Sequence, residues 1–216
     1  MLYVSAITAS TSKMELVYEW GYANMDFELP SPGFRFESFA KGTFIPEKFW
    51  INGLEVYEHK VFITLPWYGR NSVTVAYVNL NETSTMSPKL MPYPSWEAYL
   101  PDERGQRQIS QVFRARVDRC DRLWLLENVP ETYRLRIIVI DLKSDTIIRT
   151  YIFPEALIFS SYAHWIVVED GDCKDTFAYV NDYSLGGFWT YSWAENDSWH
   201  IDGYTYINAM ILAPNC

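Results

Sequence analysis

A strand–turn–strand unit that recurs three times is the feature that most restricts how this chain can fold. Ile51 to Leu65 (INGLEVYEHKVFITL) reads as two short strands around a polar turn at Glu58-His59-Lys60, with a third strand at Ser72 to Leu80. Gln111 to Leu126 repeats the pattern around a turn at Asp118 to Asp121. It is followed by Arg136 to Leu142, a tight turn at Lys143-Ser144-Asp145, and a strand at Thr146 to Phe153. A third copy begins at Trp165 (WIVVEDGDCKDTFAYVND) and continues through Gly187 to Ala194, a turn at Glu195-Asn196-Asp197, and Ser198 to Ile201. Aligned on the second strands, Ile63, Trp124 and Tyr179 occupy equivalent positions, 61 and 55 residues apart. Units of this length, each with three or four short antiparallel strands, are the signature of propeller blades. A sandwich of irregular hairpins is the alternative. The expected fold is all-β, a β-propeller with about three blades present. Propellers close with about 4–8 blades, so three make an open arc. Such an arc is expected either to self-associate over its open blade faces or to be part of a longer protein, the second being the simpler account.

Composition agrees with strands and excludes several functions. Aromatic residues reach 17%, with 9 Trp, 16 Tyr and 12 Phe, and 11 Pro and 10 Gly punctuate them. Aromatic residues favour pleated, half-buried surfaces. The net charge of −9 argues against a nucleic-acid partner, which needs clustered positive charge. No apolar run approaches the ~20 residues of a membrane helix, so no membrane partner is expected. There is no nucleophile elbow, phosphate loop or dinucleotide fingerprint, so hydrolytic and nucleotide-dependent chemistry has no support and no cofactor is expected. The acidic cluster Glu169-Asp170-Gly171-Asp172 with Asp175 lacks the ligand spacing of a calcium loop and reads as a solvated turn.

Several features bear on compartment. Residues 1–12 read as a signal-peptide remnant, mildly apolar and then small, without a basic start. Asn81-Glu82-Thr83 and Asn196-Asp197-Ser198 are glycosylation sequons in polar stretches. Three cysteines are too few for a disulfide scaffold and are not spaced like zinc ligands. A pairing of Cys120 with Cys173 would leave Cys216 alone at the end of the sequence.

At the level of motifs the chain resembles the yellow and major royal jelly protein family of insects. Leu16 to Trp20 (LVYEW), Gly42 to Glu47 (GTFIPE), Gly53 to Pro66 (GLEVYEHKVFITLP) and Ser87-Pro88-Lys89-Leu90 with Pro92 to Trp96 (PYPSW) carry the first half of the resemblance. Val112 to Leu126, Ile138 to Arg149, Asp170 to Tyr179 and Asn196 to His200 continue it in order. The resemblance implies a secreted, extracellular six-bladed propeller about twice this length, here a partial propeller domain over residues 13–200. Residues 201–216 form a tail that departs from the family pattern. The family's activities differ among members and include dopachrome conversion, biogenic amine binding, and nutrient or signalling roles. Relatives usually carry a Cys before the VFR strand and another before the IVIDL strand. DERGQRQISQ and ENVPETYRLR lack them here. The resemblance therefore implies one retained bridge, Cys120 to Cys173, with the other absent as a unit.

A site for a small amine or catechol at the propeller channel is the leading functional expectation, with binding placed ahead of catalysis. Aromatic faces and a carboxylate hold an ammonium through cation–π and ionic contacts. The candidates are Tyr93, Tyr162, Trp165 and Asp182 on loops around one channel end. Trp165 stands where relatives commonly have Asn, and Trp67 where they often have Arg. The plainer account is that these aromatics pack blades together. A dopachrome-converting isomerase is the second reading, since moving a proton from ring carbon to acceptor needs an acid–base group. His164, ahead of a strand at a channel end, is the weak catalytic candidate, while His59 and His200 are expected at the surface. No histidine pair has metal-like spacing, so no metal is expected. The third reading is a storage or structural protein without a small-molecule site.

Overall fold

A computed structural model describes residues 2–6, 15–26, 44–47, 49–66, 73–129, 134–157, 163–169, 171–182 and 186–202. The predicted repeats emerge as three antiparallel sheets of four strands, each following chain order. The first blade contains β3 (Gly53–Tyr57), β4 (Lys60–Thr64), β5 (Val75–Asn79) and β6 (Met91–Pro92). The second contains β7 (Val112–Val117), β8 (Arg122–Val129), β9 (Arg134–Asp141) and β10 (Thr146–Leu157). The third contains β11 (Ile166–Val168), β12 (Phe177–Asn181), β13 (Phe188–Ser192) and β14 (Asp197–Ile201). A separate hairpin joins β1 (Leu2–Ala6) to β2 (Glu15–Trp20). Ile63, Trp124 and Tyr179 fall on β4, β8 and β12, the second strand of each blade, as the repeat alignment requires.

Strand β7 touches both β3 and β11, so the three sheets fan out from neighbouring first strands. This is a partial propeller. Hairpin turns of the blades are sharpened by residues in the left-handed region: Glu58, Asp121, Asp145 and Asn196 have φ of 51°, 58°, 53° and 52°. Three of these are Asp or Asn, whose short polar side chains tolerate that conformation best after glycine.

Burial explains why the middle blade lacks the usual alternation of apolar and polar residues. Leu123, Leu125, Ile138 and Ile140 enter a core shared with the first blade. Their sequence neighbours Trp124, Leu126, Ile137 and Val139 enter the core shared with the third. Successive strand residues point to opposite faces, so a sheet covered on both sides needs continuous runs such as LWLL and IIVI. The outermost strand β14 alternates instead, exposing Asp197, Trp199 and Ile201.

Polar contacts fasten the seams. Between the first and second blades, Glu55 pairs with Arg116, and the Tyr57 hydroxyl donates to Asp121 at 2.9 Å. Burial and that carboxylate push the Tyr57 phenol up to about 12. Between the second and third, Cys120 and Cys173 form a disulfide. Across the same seam, Arg149 lies 3.7 Å above the Trp193 ring and donates to the Tyr191 hydroxyl. Among the described residues no helix is long and apolar enough to cross a membrane.

Candidate functional site

The first strands of the three blades start at the same end of the fan, and the residues at those starts meet. Asn52, just before β3, donates from Nδ2 to the Phe113 carbonyl of β7 at 2.7 Å. Arg114 returns a hydrogen bond to the Asn52 carbonyl. Thr64, fully buried, donates to the same Phe113 carbonyl at 3.0 Å. Gly53 allows this approach: a Cβ there would lie 2.7 Å from Thr64 Oγ1 and 3.4 Å from Arg114 Cδ. The closeness of Arg114 to β3 thus depends on a missing side chain.

From the third blade, His164 and Trp165 complete the group. The imidazole of His164 stacks on Phe113, with ring centroids 4.6 Å apart and planes inclined by 16°. Trp165 lies beneath Arg114, whose guanidinium carbon is 4.1 Å from the ring centroid. Asn181, at the end of β12, fixes both: its Oδ1 accepts the backbone N–H of His164 at 3.2 Å and of Trp165 at 2.8 Å. Burial holds the His164 imidazole below its ordinary pKa, and the Arg114 charge adds to the effect. Burial likewise lowers Arg114, with Arg116 contributing. The result is an aromatic platform carrying one guanidinium and one neutral imidazole.

Other expected site residues lie elsewhere. Tyr93 follows the outermost strand of the first blade and is 1% exposed. It lines a cavity of about 440 Å³ between the first two blades, with Asp26, Tyr77, Trp96, Glu97 and Asp145. Its hydroxyl donates to Asp145 at 2.7 Å, and burial followed by that carboxylate raises its pKa. The ammonium of Lys60 stands 5.1 Å from the Tyr77 ring centroid and 5.5 Å from that of Tyr93, and 3.4 Å from Asp145. Aromatic faces and a carboxylate do hold an ammonium here, but it belongs to the protein itself.

Asp182 lies one residue past Asn181 and accepts Trp189 Nε1 at 2.8 Å. The expectation that His200 is a surface residue is corrected. Strand alternation in β14 turns it inward, its side chain is 15% exposed, and it packs edge-on against Trp189 at 4.9 Å. His200 Nε2 lies 3.7 Å from Asp182 and Nδ1 3.0 Å from Asp202. His59 is exposed as expected. Tyr162, Trp67 and Cys216 lie outside the described residues. Asn81 and Asn196 are exposed in turns, and Asn196 Oδ1 accepts the Tyr191 hydroxyl at 2.9 Å. Among the described residues, no group of three or more His, Cys, Asp or Glu is placed to hold a metal ion.

The sequence reading singled out Trp165 and His164 but not the residues they meet, Arg114, Asn52, Phe113 and Asn181. A signal was present: each of Asn52, Phe113-Arg114 and His164-Trp165 lies at the start of the first strand of its repeat.

Comparison with known proteins gives the kinship. The profile of the Major royal jelly protein family matches residues 110–210. The dopaminechrome tautomerase of Drosophila melanogaster is 34% identical over 209 residues, covering 91% of this chain and 44% of that protein. Protein yellow of Drosophila subobscura is 31% identical over 219 residues, covering 95% of this chain and 38% of the relative. Protein yellow of Drosophila melanogaster is 29% identical over 216 residues, with 94% and 39% covered. The chain spans less than half the length of these curated relatives. On the repeated blades, the ordered motifs and these matches, the chain belongs to the yellow and major royal jelly protein family.

Proposed function

We propose that this is a secreted yellow-family protein that binds a small catechol-type ring where its first strands begin. The observation that carries the reading is the stack of Arg114 on Trp165 beside the His164–Phe113 pair, formed by groups from two blades. Flat aromatic faces accept a ring by offset or edge stacking, and guanidinium and imidazole groups hydrogen-bond ring oxygens. Of the two ligands expected from the sequence, the cationic charge of Arg114 favours the catechol over the amine. Secretion is in keeping with the interblade disulfide and with two sequon asparagines on exposed turns, Asn81 and Asn196. The apolar residues Trp199 and Ile201, 42% and 46% exposed on the outer strand of the third blade, support self-association.

Isothermal titration of the full chain with 4-methylcatechol tests this reading. Saturable binding that weakens about tenfold or more in Trp165→Ala, with the denaturation midpoint held, supports it. No binding by folded protein contradicts it.

A second reading is favoured by the lowered pKa of His164. A neutral imidazole beside a guanidinium suits the tautomerisation of an aminochrome, the reaction type named for one relative. His164 would take the proton from the ring carbon, while Arg114 would stabilise charge developing on the quinone oxygen that is finally protonated. The measurement is loss of dopaminechrome absorbance against a heat-inactivated control. A rate above that control in wild type but not in His164→Gln supports catalysis, and equal rates leave binding alone.

A further inference from the structure

Among the described residues Arg114 has no ionic partner, although it stands at the place proposed to receive a ligand. Its NH1 is held by the Asn52 carbonyl, and its Nε is buried and has no hydrogen-bond partner among the described residues. Glu55, the acidic residue whose field reaches it, is paired with Arg116. By contrast, Arg116, Arg122 and Arg136 each form an ion pair with a carboxylate. Burying a cation is costly unless it is paired and hydrogen-bonded. Trp165 offsets part of this through cation–π attraction, while Arg116 makes the local field more positive. Trp165 is itself set by Asn181, so the guanidinium is held from below and from the side. It is positioned rather than free to turn toward a distant carboxylate.

We propose that Arg114 is the specificity residue of this site and recognises an anionic oxygen, so that the preferred ligand is a catechol acid rather than a catechol amine. The proposal rests on the catechol-binding reading of the same site and adds the charge of the ligand's second substituent. A planar guanidinium offers donors in a fixed fork that matches a carboxylate, which an ammonium does not reproduce. An aryl ring against the half-buried His164 and Trp165 would place such a carboxylate beside Arg114. A ligand ammonium there would meet a like charge in a partly buried setting.

Two probes share one ring and differ in charge: 3,4-dihydroxyphenylacetate and dopamine. Isothermal titration of each is carried out on the full wild-type chain and on Arg114→Lys and Arg114→Gln. The acid is expected to bind wild type about tenfold or more tighter than the amine. Arg114→Lys should keep part of that preference, because it retains charge but loses the fork, and Arg114→Gln should reduce it to about twofold. Wild-type discrimination is measured without any substitution, so a variant that fails to fold does not remove the test. If dopamine binds wild type as well as or better than the acid, the specificity proposal is overturned while the catechol-binding reading stands. The specificity proposal is equally overturned if folded Arg114→Gln keeps the full preference. If 4-methylcatechol and both probes fail to bind folded wild type, both readings fall.

Discussion

Arg122 of the second blade donates from NH2 to the hydroxyl of Thr176 in the third at 2.6 Å. The same guanidinium bonds Asp118 from Nε at 2.7 Å and the Cys173 carbonyl from NH1 at 3.1 Å, and it stacks 4.4 Å from the Trp193 ring centroid. Asp118 is buried, its side chain 1% exposed, and also accepts Trp124 Nε1 at 2.7 Å. One side chain thus satisfies a buried carboxylate and ties two blades.

Removal of Arg122 would leave Asp118 without its cation in a buried position. Arg122→Met is expected to lower unfolding stability by about 3–5 kcal/mol. Arg122→Lys should recover part of the loss, because its charge remains but the contacts to Thr176 and Cys173 do not. Urea denaturation read by tryptophan fluorescence checks both values.

The Cys120–Cys173 bridge closes a segment of 53 residues beside the same seam. By loop-closure reasoning, its loss costs about 4 kcal/mol. Double substitution to serine should show that decrease. Combined with Arg122→Met, the effect is expected to depart from the sum by about 0.5 kcal/mol or more, because both changes release one interface.

His164 supplies a pH dependence of defined sign. Unfolded, its imidazole takes up a proton near pH ~6.5. Folded, burial and then the Arg114 charge hold its pKa lower. Its contribution to stability is therefore intact above the unfolded value and is lost as pH falls from there toward the folded value. On going from about pH 7.5 to about pH 5.0, the denaturation midpoint should fall further for wild type than for His164→Gln. An equal fall in both proteins would contradict this assignment.

Gly53 is the backbone condition for the site. Gly53→Ala would drive its Cβ into buried Thr64 Oγ1 and crowd Arg114 Cδ. The expected cost is about 1–3 kcal/mol, together with weaker catechol binding because Arg114 must move. Adding Thr64→Ala should restore part of the stability without restoring full binding. Thermal unfolding and titration calorimetry separate the two effects.

Legibility of the sequence followed physical locality. Hairpin turns and their flanking strands were readable from residues close in sequence, and all three blades formed on them. The continuous runs in β8 and β9 revealed strands but not their faces, because both faces of the middle blade are buried. The short strand β6 carried too little pattern to be read. Site residues were harder to read, since Asn52, Arg114 and Trp165 are about 50–60 residues apart and meet only when first strands converge. Arg114 is one of two arginines in VFRARV, and nothing local in sequence distinguishes it from Arg116. Tyr93 fitted the chemistry of an amine site, but Lys60 already occupies its aromatic corner.

Whether a catechol settles on Trp165 can be read by fluorine NMR on the chain labelled with 5-fluorotryptophan, with the nine indoles assigned by single substitution. On titration with 3,4-dihydroxyphenylacetate, the Trp165 resonance is expected to shift saturably. Trp96, in the cavity between the first two blades, should stay unchanged. A shift of Trp96 with Trp165 unmoved would place binding between the blades and contradict the assignment of the site to the starts of the first strands.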